Sequence, residues 1–423
     1  MLKSLFKKFK KTIVFKTIQK TIPYRALRKV YRVCRKRLRM IYRYEMLRKH
    51  YPKLYNKYAA RPVNEKKVVF IEVRESKISD SFSLMYKKVQ EKHKYEIHTH
   101  FLRSGFSKRK DYQHACEAMI TDIADAKYIF LNESSDVIAA LPMRKETIVT
   151  QLWHGCGAFK KFGMSTAELI FGDDRKTLEK YPYHGNYTYV TVSAPEVVWA
   201  YEEAMSLQDK KGVVVPTGIS RSDVFYDETA KKAAQKKLYE VVPQAKGKKV
   251  ILYAPTFRGR VARAKTPNAL DIAAFGDALG EDYVLLFKLH PFVKKRTAVP
   301  EGYEDFAFDL TDDMSIEELL FVADICISDY SSLVFEYSLF EKPMIFFAFD
   351  LDNYYDWRGF YYDYKDFVPG PIHTTTEEMI DYIRHVDERF DKKQVQDFRQ
   401  KFMSACDGHA TERIMKLVFD GER

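Results

Sequence analysis

The chain predicts an α/β protein: two doubly wound, Rossmann-like halves facing each other across a cleft, preceded by a basic amphipathic helical extension. Three observations predict it. Apolar runs rich in β-branched and aromatic residues alternate with helix-period segments from residue 67 onward, the rhythm of parallel sheets covered by helices on both faces. That rhythm starts afresh after a polar stretch at residues 229–249 that ends QAKGKK. The charge is also lopsided. Residues 1–67 hold 23 Lys and Arg against Glu45 and Glu65, while the rest holds 48 basic and 56 acidic side chains, so the net +13 comes from the N-terminal segment.

In that segment Leu2, Phe6, Phe9 and Ile13 recur at helical spacing among Lys7, Lys8, Lys10 and Lys11. Pro23 interrupts, and Leu27, Val30, Tyr31, Cys34, Leu38 and Ile41 begin a second stripe whose polar face is filled by the basic residues between Arg25 and Arg43. Such a helix binds anionic lipid by apolar insertion and by charge attraction of about 1 kcal/mol per basic residue. Residues 1–58 are therefore expected on an anionic membrane surface. A nucleic-acid arm or a partner-docked helix would share the pattern, but no nucleic-acid module follows and no nucleic acid is expected. No apolar run reaches the roughly 18 residues of a spanning helix, and the N-terminal charges leave no room for a secretory leader. A peripheral protein on the cytoplasmic face of the cell membrane is the expectation. Cys34, Cys116, Cys156, Cys326 and Cys406 are scattered, with no CxxC pair, which suits reduced thiols and neither a disulfide scaffold nor structural zinc.

Strands are expected at Val68–Val73, Glu96–Leu102, Tyr128–Asn132, Thr147–Trp153, Tyr187–Ser193 and Val213–Pro216, with helices near Tyr112–Ala126 and Pro195–Met205. In the second half they fall at Val250–Ala254, Tyr283–Leu289, Phe306–Leu310, Ile325–Ser328 and Met344–Phe349. A helix at about Lys392–Leu417 is expected to return to the first half. The implied domains are residues 1–66, 67–245 and 246–423.

Ligands of doubly wound sheets sit outside the carboxyl ends of the strands. Five such ends deliver polar groups beside small or rigid residues: His154-Gly155-Cys156-Gly157-Ala158, Gly218 to Asp223, Pro255-Thr256-Phe257-Arg258, Lys288-Leu289-His290-Pro291 and Ser328 to Ser332. Ser331 and Ser332 open a helix, where free N–H groups favour an anion, and Glu336 can accept from ribose hydroxyls. Arg221 and Arg258 suit bidentate phosphate contacts and Lys288 a point charge. His154 and His290 are the titratable candidates for general base and phosphate donor. Each feature also has a structural explanation, as a helix cap or a loop hydrogen bond; five together point to a phosphate-ester site. Cys156 lacks an orienting third group for nucleophilic work. Asp173-Asp174 and Asp312-Asp313 are expected as solvated charges rather than metal ligands. No GxGxxG or P-loop occurs, so dinucleotide and ATPase chemistry lack support. No cofactor is called for; a divalent metal is left open.

LWHGCGAFKKFG, TGISRSD, YAPTFRG, KLHP, SDYSSLVFEYSLFEKP and DGHATERI, in this order over about Val68 to the end, resemble the CDP-glycerol glycerophosphotransferase family, the teichoic-acid primases and polymerases of Gram-positive bacteria. That resemblance implies a GT-B-like fold and peripheral membrane enzymes. It implies transfer of a polyol phosphate, glycerol phosphate first and ribitol phosphate as the alternative, from a CDP-polyol to a lipid-linked (undecaprenyl-type) glycan, with CMP leaving. By the same resemblance His154 and His290 match essential histidines. Gly155, Cys156, Gly157, Ala158, Arg221, Arg258, Pro291, Ser331, Ser332 and Glu336 match positions around the CDP-polyol. Many members read WHGTP where this chain has Cys156-Gly157. A GT-B nucleotide-sugar glycosyltransferase shares the architecture, and a non-catalytic membrane adaptor is the alternative of another class.

Overall fold

A computed structural model of the chain describes residues 22–169, 172, 174–259, 264–267, 269–290, 292–352, 354 and 359–421. The first expected helix, Leu2 to Ile13, lies outside the described residues, as do Asp173 and Pro291.

Strands β1 (Asn64–Glu72), β2 (Glu96–Phe101), β3 (Ala126–Leu131), β4 (Ile148–Gln151), β5 (Tyr189–Thr191) and β6 (Val214–Val215) form one sheet in the order β2-β1-β3-β4-β5-β6. Strands β7 (Lys249–Tyr253), β8 (Tyr283–Phe287), β9 (Ala307–Asp309), β10 (Ile325–Ser328), β11 (Met344–Phe347) and β12 (Ile372–His373) form a second, ordered β12-β11-β10-β7-β8-β9. Every pairing is parallel. Val68 to Ile71 in β1 and all of β8 are buried continuously, as sheets covered on both faces require. Each expected strand is present; β12, two residues long, had no pattern to announce it.

Chain order reverses between β1 and β3 in the first sheet and between β7 and β10 in the second. The carboxyl ends flanking these switch points, where such folds hold ligands, carry Arg74, Asn132 and Glu133 on one side and Thr256 and Asp329 on the other. The halves are joined directly. Lys160 bridges Phe360 in antiparallel fashion, and the Phe159 ring stacks on Phe360 and Phe367 at 5.0 and 4.8 Å. One buried cluster runs from Val69 and Ile71 through Cys156 and Phe159 to Phe335 and Phe346.

Two expectations are corrected. The C-terminal helix is two helices, Lys392–Met403 and Ala410–Met415, because Gly408 turns the chain at φ +90 between them. The second packs Ile414 and Met415, and the π-turn that follows it (Lys416–Asp420) packs Val418, on the outer face of the first sheet, among Val68, Phe70 and Phe130. Its first N–H groups, those of Ala410 and Thr411, donate to Asp223 at 3.0 and 2.7 Å, and Arg413 donates to the carbonyl of Thr217 at 2.8 Å. The TGISRSD and DGHATERI stretches are thus each other's partners.

The N-terminal segment also divides. Helix Ile22–Tyr44 continues through a π-turn at Glu45–His50 into Tyr51–Tyr58; Pro52, which lacks an N–H and crowds the carbonyl four residues back, accounts for the unwinding. Val30, Tyr31, Leu38 and Ile41 are exposed, whereas Met46, Leu47, Tyr51 and Tyr55 are buried in the first half's core. Arg43 pairs with Asp136 at 3.1 Å. Residues 42–58 are therefore a docked root, and the exposed apolar stripe among the described residues of this segment runs from Val30 to Ile41. Among the described residues no helix is long and apolar enough to cross a membrane.

Candidate active site

His154 follows β4 on a strained turn. Trp153 has φ +59, a left-handed conformation uncommon for a bulky residue and typical of functional sites. Its N–H donates to Gln151 Oε1 at 3.0 Å, and Gln151 Nε2 donates to the Glu133 carbonyl at 3.0 Å. The Trp153 and His154 rings lie 4.5 Å apart. Nδ1 of His154 faces the Asn132 carbonyl at 3.0 Å and Glu133 Oε1 at 3.6 Å. Facing two acceptors, Nδ1 carries the hydrogen, so in the neutral ring the lone pair is on Nε2.

His290 follows β8 and is packed between Phe257 and Phe292, at 4.9 and 4.5 Å between ring centres. Here the polarity is reversed: the Phe292 N–H donates to Nδ1 at 3.2 Å, so Nε2 carries the hydrogen. Burial, then the charges of Lys160 and Arg74, push the His290 pKa down to about 4. Both cations belong to the first half, and Arg74 lies 3.6 Å from Glu133 beside His154. The two imidazoles thus come from opposite halves with opposite hydrogen-bonding character, one a proton acceptor and one a neutral donor.

The expected phosphate cations are engaged within the protein. Arg221 donates to the His154 carbonyl at 2.7 Å and pairs with Glu317 of the second half. Arg258 is bidentate to Asp350 at 2.6 and 2.9 Å and ion-paired to Asp329 at 2.9 Å. Lys288 donates to the carbonyls of Thr311 and Met314, and burial lowers its pKa.

Ser332 is the N-cap of the Leu333–Ser338 helix without a side-chain cap bond, while Ser331 Oγ accepts from the Leu333 N–H at 3.4 Å. A Cβ on Gly155 would lie 3.8 Å from Ser332 Oγ, so that loop and these serines face each other. Thr256 donates its N–H to Asp329 at 2.8 Å and leaves Oγ1 buried without a partner. Gly157 has φ +64, donates to Ser193 Oγ at 3.0 Å and abuts the Phe335 ring. Cys156 and Ala158 are buried in the shared core, so their side chains are not offered to a ligand. Glu336 is also buried, beside the Cys156 thiol and the Arg221 charge, and its Oε2 has no partner. It faces the seam between the halves. Asp312 is solvated and pairs with Arg296, and Asp174 caps the helix at Arg175–Lys180. Among the described residues no group of three or more His, Cys, Asp or Glu is arranged to hold a metal ion.

Residues 54–420 match the family described as CDP-Glycerol:Poly(glycerophosphate) glycerophosphotransferase. The chain belongs to that family. It is 37% identical over 371 residues to the teichoic acid poly(ribitol-phosphate) polymerase of Bacillus spizizenii, aligning 87% of this chain with 58% of that one. It is 36% identical over 364 residues to the teichoic acid ribitol-phosphate primase of the same organism, aligning 85% and 92%. A teichoic acid glycerol-phosphate transferase of Staphylococcus aureus is 30% identical over 285 residues, 64% and 71% of the two chains. The solved structure of the wall teichoic acid polymerase TagF superposes with a TM-score of 0.70 at 23% identity, covering 92% of this chain and 97% of that one; the shared GT-B-like fold is what this likeness shows.

For this glycerophosphotransferase-family chain, sequence reasoning missed Arg74, Asn132, Glu133, Trp153, Glu317, Asp329 and Asp350. Glu133 ends a strand beside the histidine-bearing one, and that adjacency was a usable signal. Asp350 and Glu317 meet their arginines only through the tertiary fold.

Proposed function

We propose that the chain transfers a polyol phosphate from a CDP-polyol to a hydroxyl of a lipid-linked teichoic-acid acceptor, releasing CMP. The observation that supports the reading is the pair of imidazoles of opposite character after strands of the two halves, linked by Arg74, which acts on His290 and lies beside Glu133 and His154. The acceptor oxygen attacks the β-phosphorus while Nε2 of His154 takes its proton. The bond from the β-phosphorus to the bridging oxygen breaks, and CMP leaves with that oxygen. Nε2–H of His290 donates to the phosphate, as electrostatic stabilisation of phosphoryl transfer requires. Arg221, Ser331 and Ser332 line the approach, and Arg258 joins them by exchanging Asp350 for a phosphate oxygen.

Ribitol phosphate is the favoured cargo, because the relatives named for it are 37% and 36% identical against 30% for the glycerol-phosphate transferase. Glycerol phosphate, first on motif resemblance, is the second reading. The exposed stripe at Val30, Tyr31, Leu38 and Ile41, among arginines, holds the protein on the cytoplasmic face of the membrane, where it raises the local concentration of acceptor.

The deciding experiment incubates the protein with a lipid-anchored acceptor and either CDP-ribitol or CDP-glycerol, following CMP and product mass. CMP release with one polyol-phosphate mass added per turnover is expected, faster with CDP-ribitol. No CMP from either donor, or release of UDP from a UDP-sugar, sinks the proposal.

A further inference from the structure

We propose that Glu133 is a positioning residue for His154: its carboxylate holds the Nδ1–H form of the ring and supplies the counter-charge when Nε2 takes a proton. The inference rests on His154 being the base.

The ring is already oriented by a neutral acceptor, the Asn132 carbonyl at 3.0 Å. That carbonyl belongs to a rigid corner, since the Asn132 side chain donates to Glu72 Oε2 at 2.8 Å and to Ser79 Oγ at 2.9 Å. A carbonyl dipole fixes direction but brings no negative charge to balance an imidazolium. Glu133 Oε1, 3.6 Å from the same nitrogen, brings one. Its backbone carbonyl is held by Gln151, which also accepts from the Trp153 N–H, so carboxylate and ring hang from one hydrogen-bonded frame. The other oxygen, Oε2, lies 3.6 Å from Arg74, which stops the side chain from swinging away. The plain alternative is that Glu133 serves only Arg74. Such a pair alone gives no reason for Oε1 to face the ring of His154 while Oε2 faces Arg74. A carboxylate behind an imidazole also sets its tautomer in hydrolytic triads, where it acts without being protonated itself.

The test compares full-length wild-type protein with Glu133→Gln and Glu133→Asp, measuring kcat and donor KM with the lipid-anchored acceptor, and the unfolding midpoint. Glu133→Gln keeps size and hydrogen bonding and removes charge. A kcat lower by about tenfold, with donor KM within about twofold and the midpoint unchanged, is expected. Glu133→Asp keeps the charge at greater distance and should fall between the other two. Wild-type kcat in Glu133→Gln overturns the proposal, as does a rise in KM alone or a kcat for Gln above that for Asp; these rankings are read even if either variant is less stable. His154→Ala separates the two levels. If it stays active, the base assignment fails; if it is dead while Glu133→Gln is intact, only the role of Glu133 fails.

Discussion

The backbone N–H of Phe292 donates to Nδ1 of His290 at 3.2 Å, and this one bond fixes the neutral ring with its hydrogen on Nε2. Burial keeps it neutral, with the pKa down to about 4, and His184, buried beside Trp153, is held down to about 3. In the unfolded chain both return toward 6.5. The unfolded state then binds more protons below that value, so stability is full above about pH 6.5 and is lost as pH falls toward about 4. Thermal melts between about pH 7.5 and 5 should show the decline, shallower in His290→Asn and in His184→Asn. Equal slopes in all three proteins would refute it.

Arg221 ties the His154 carbonyl to Glu317 of the opposite half. Arg221→Met leaves Glu317 without its partner and near Asp80, whose own pKa is raised by burial and by Glu317. We expect a loss of about 3 kcal/mol in denaturant unfolding and a kcat lower by about tenfold or more.

Gly155 and Gly157 should respond oppositely to a methyl group. At Gly157 a Cβ would fall 2.2 Å from the Phe335 ring with φ +64, so Gly157→Ala should cost about 2–4 kcal/mol. At Gly155 the nearest atom is Ser332 Oγ at 3.8 Å, and Gly155→Ala should melt within about 2 °C of wild type.

Asp223 accepts both leading N–H groups of the Ala410–Met415 helix. Asp223→Ala should lose about 1–2 kcal/mol, and hydrogen exchange should quicken in that helix and on the strand it covers, β1. Unchanged protection there would count against the clasp.

Leu38 and Ile41 are 67% and 59% exposed. Replacing both by Asp should leave the melting curve in place and weaken co-sedimentation with anionic vesicles by about tenfold or more, since each burial and each charge contributes roughly 1 kcal/mol or above. Equal sedimentation would remove this helix from the membrane contact.

Strands were legible because fully covered parallel strands such as Val68 to Ile71 and Tyr283 to Phe287 are unbroken apolar runs, and the loops bearing His154 and His290 follow directly from where those runs end. The partners of the arginines were not legible. Arg258 meets Asp350 across 92 residues and Arg221 meets Glu317 across 96, distances over which a linear pattern carries no pairing information. Met46 to Tyr55 continue the same helical period as the stripe before them, so periodicity alone could not tell the docked root from the free end. Glu336 looked accessible in the first turn of a helix; its burial follows from the Cys156 loop closing over it.

The apolar cluster shared by Val69, Phe159, Phe335 and Phe346 limits how this molecule can breathe. Prising the lobes apart like a jaw would wet that continuous seam, at a cost that grows with every square ångström of hydrocarbon uncovered. A jaw-like opening is therefore disfavoured, and a ligand is expected to reach the strand ends past the rim.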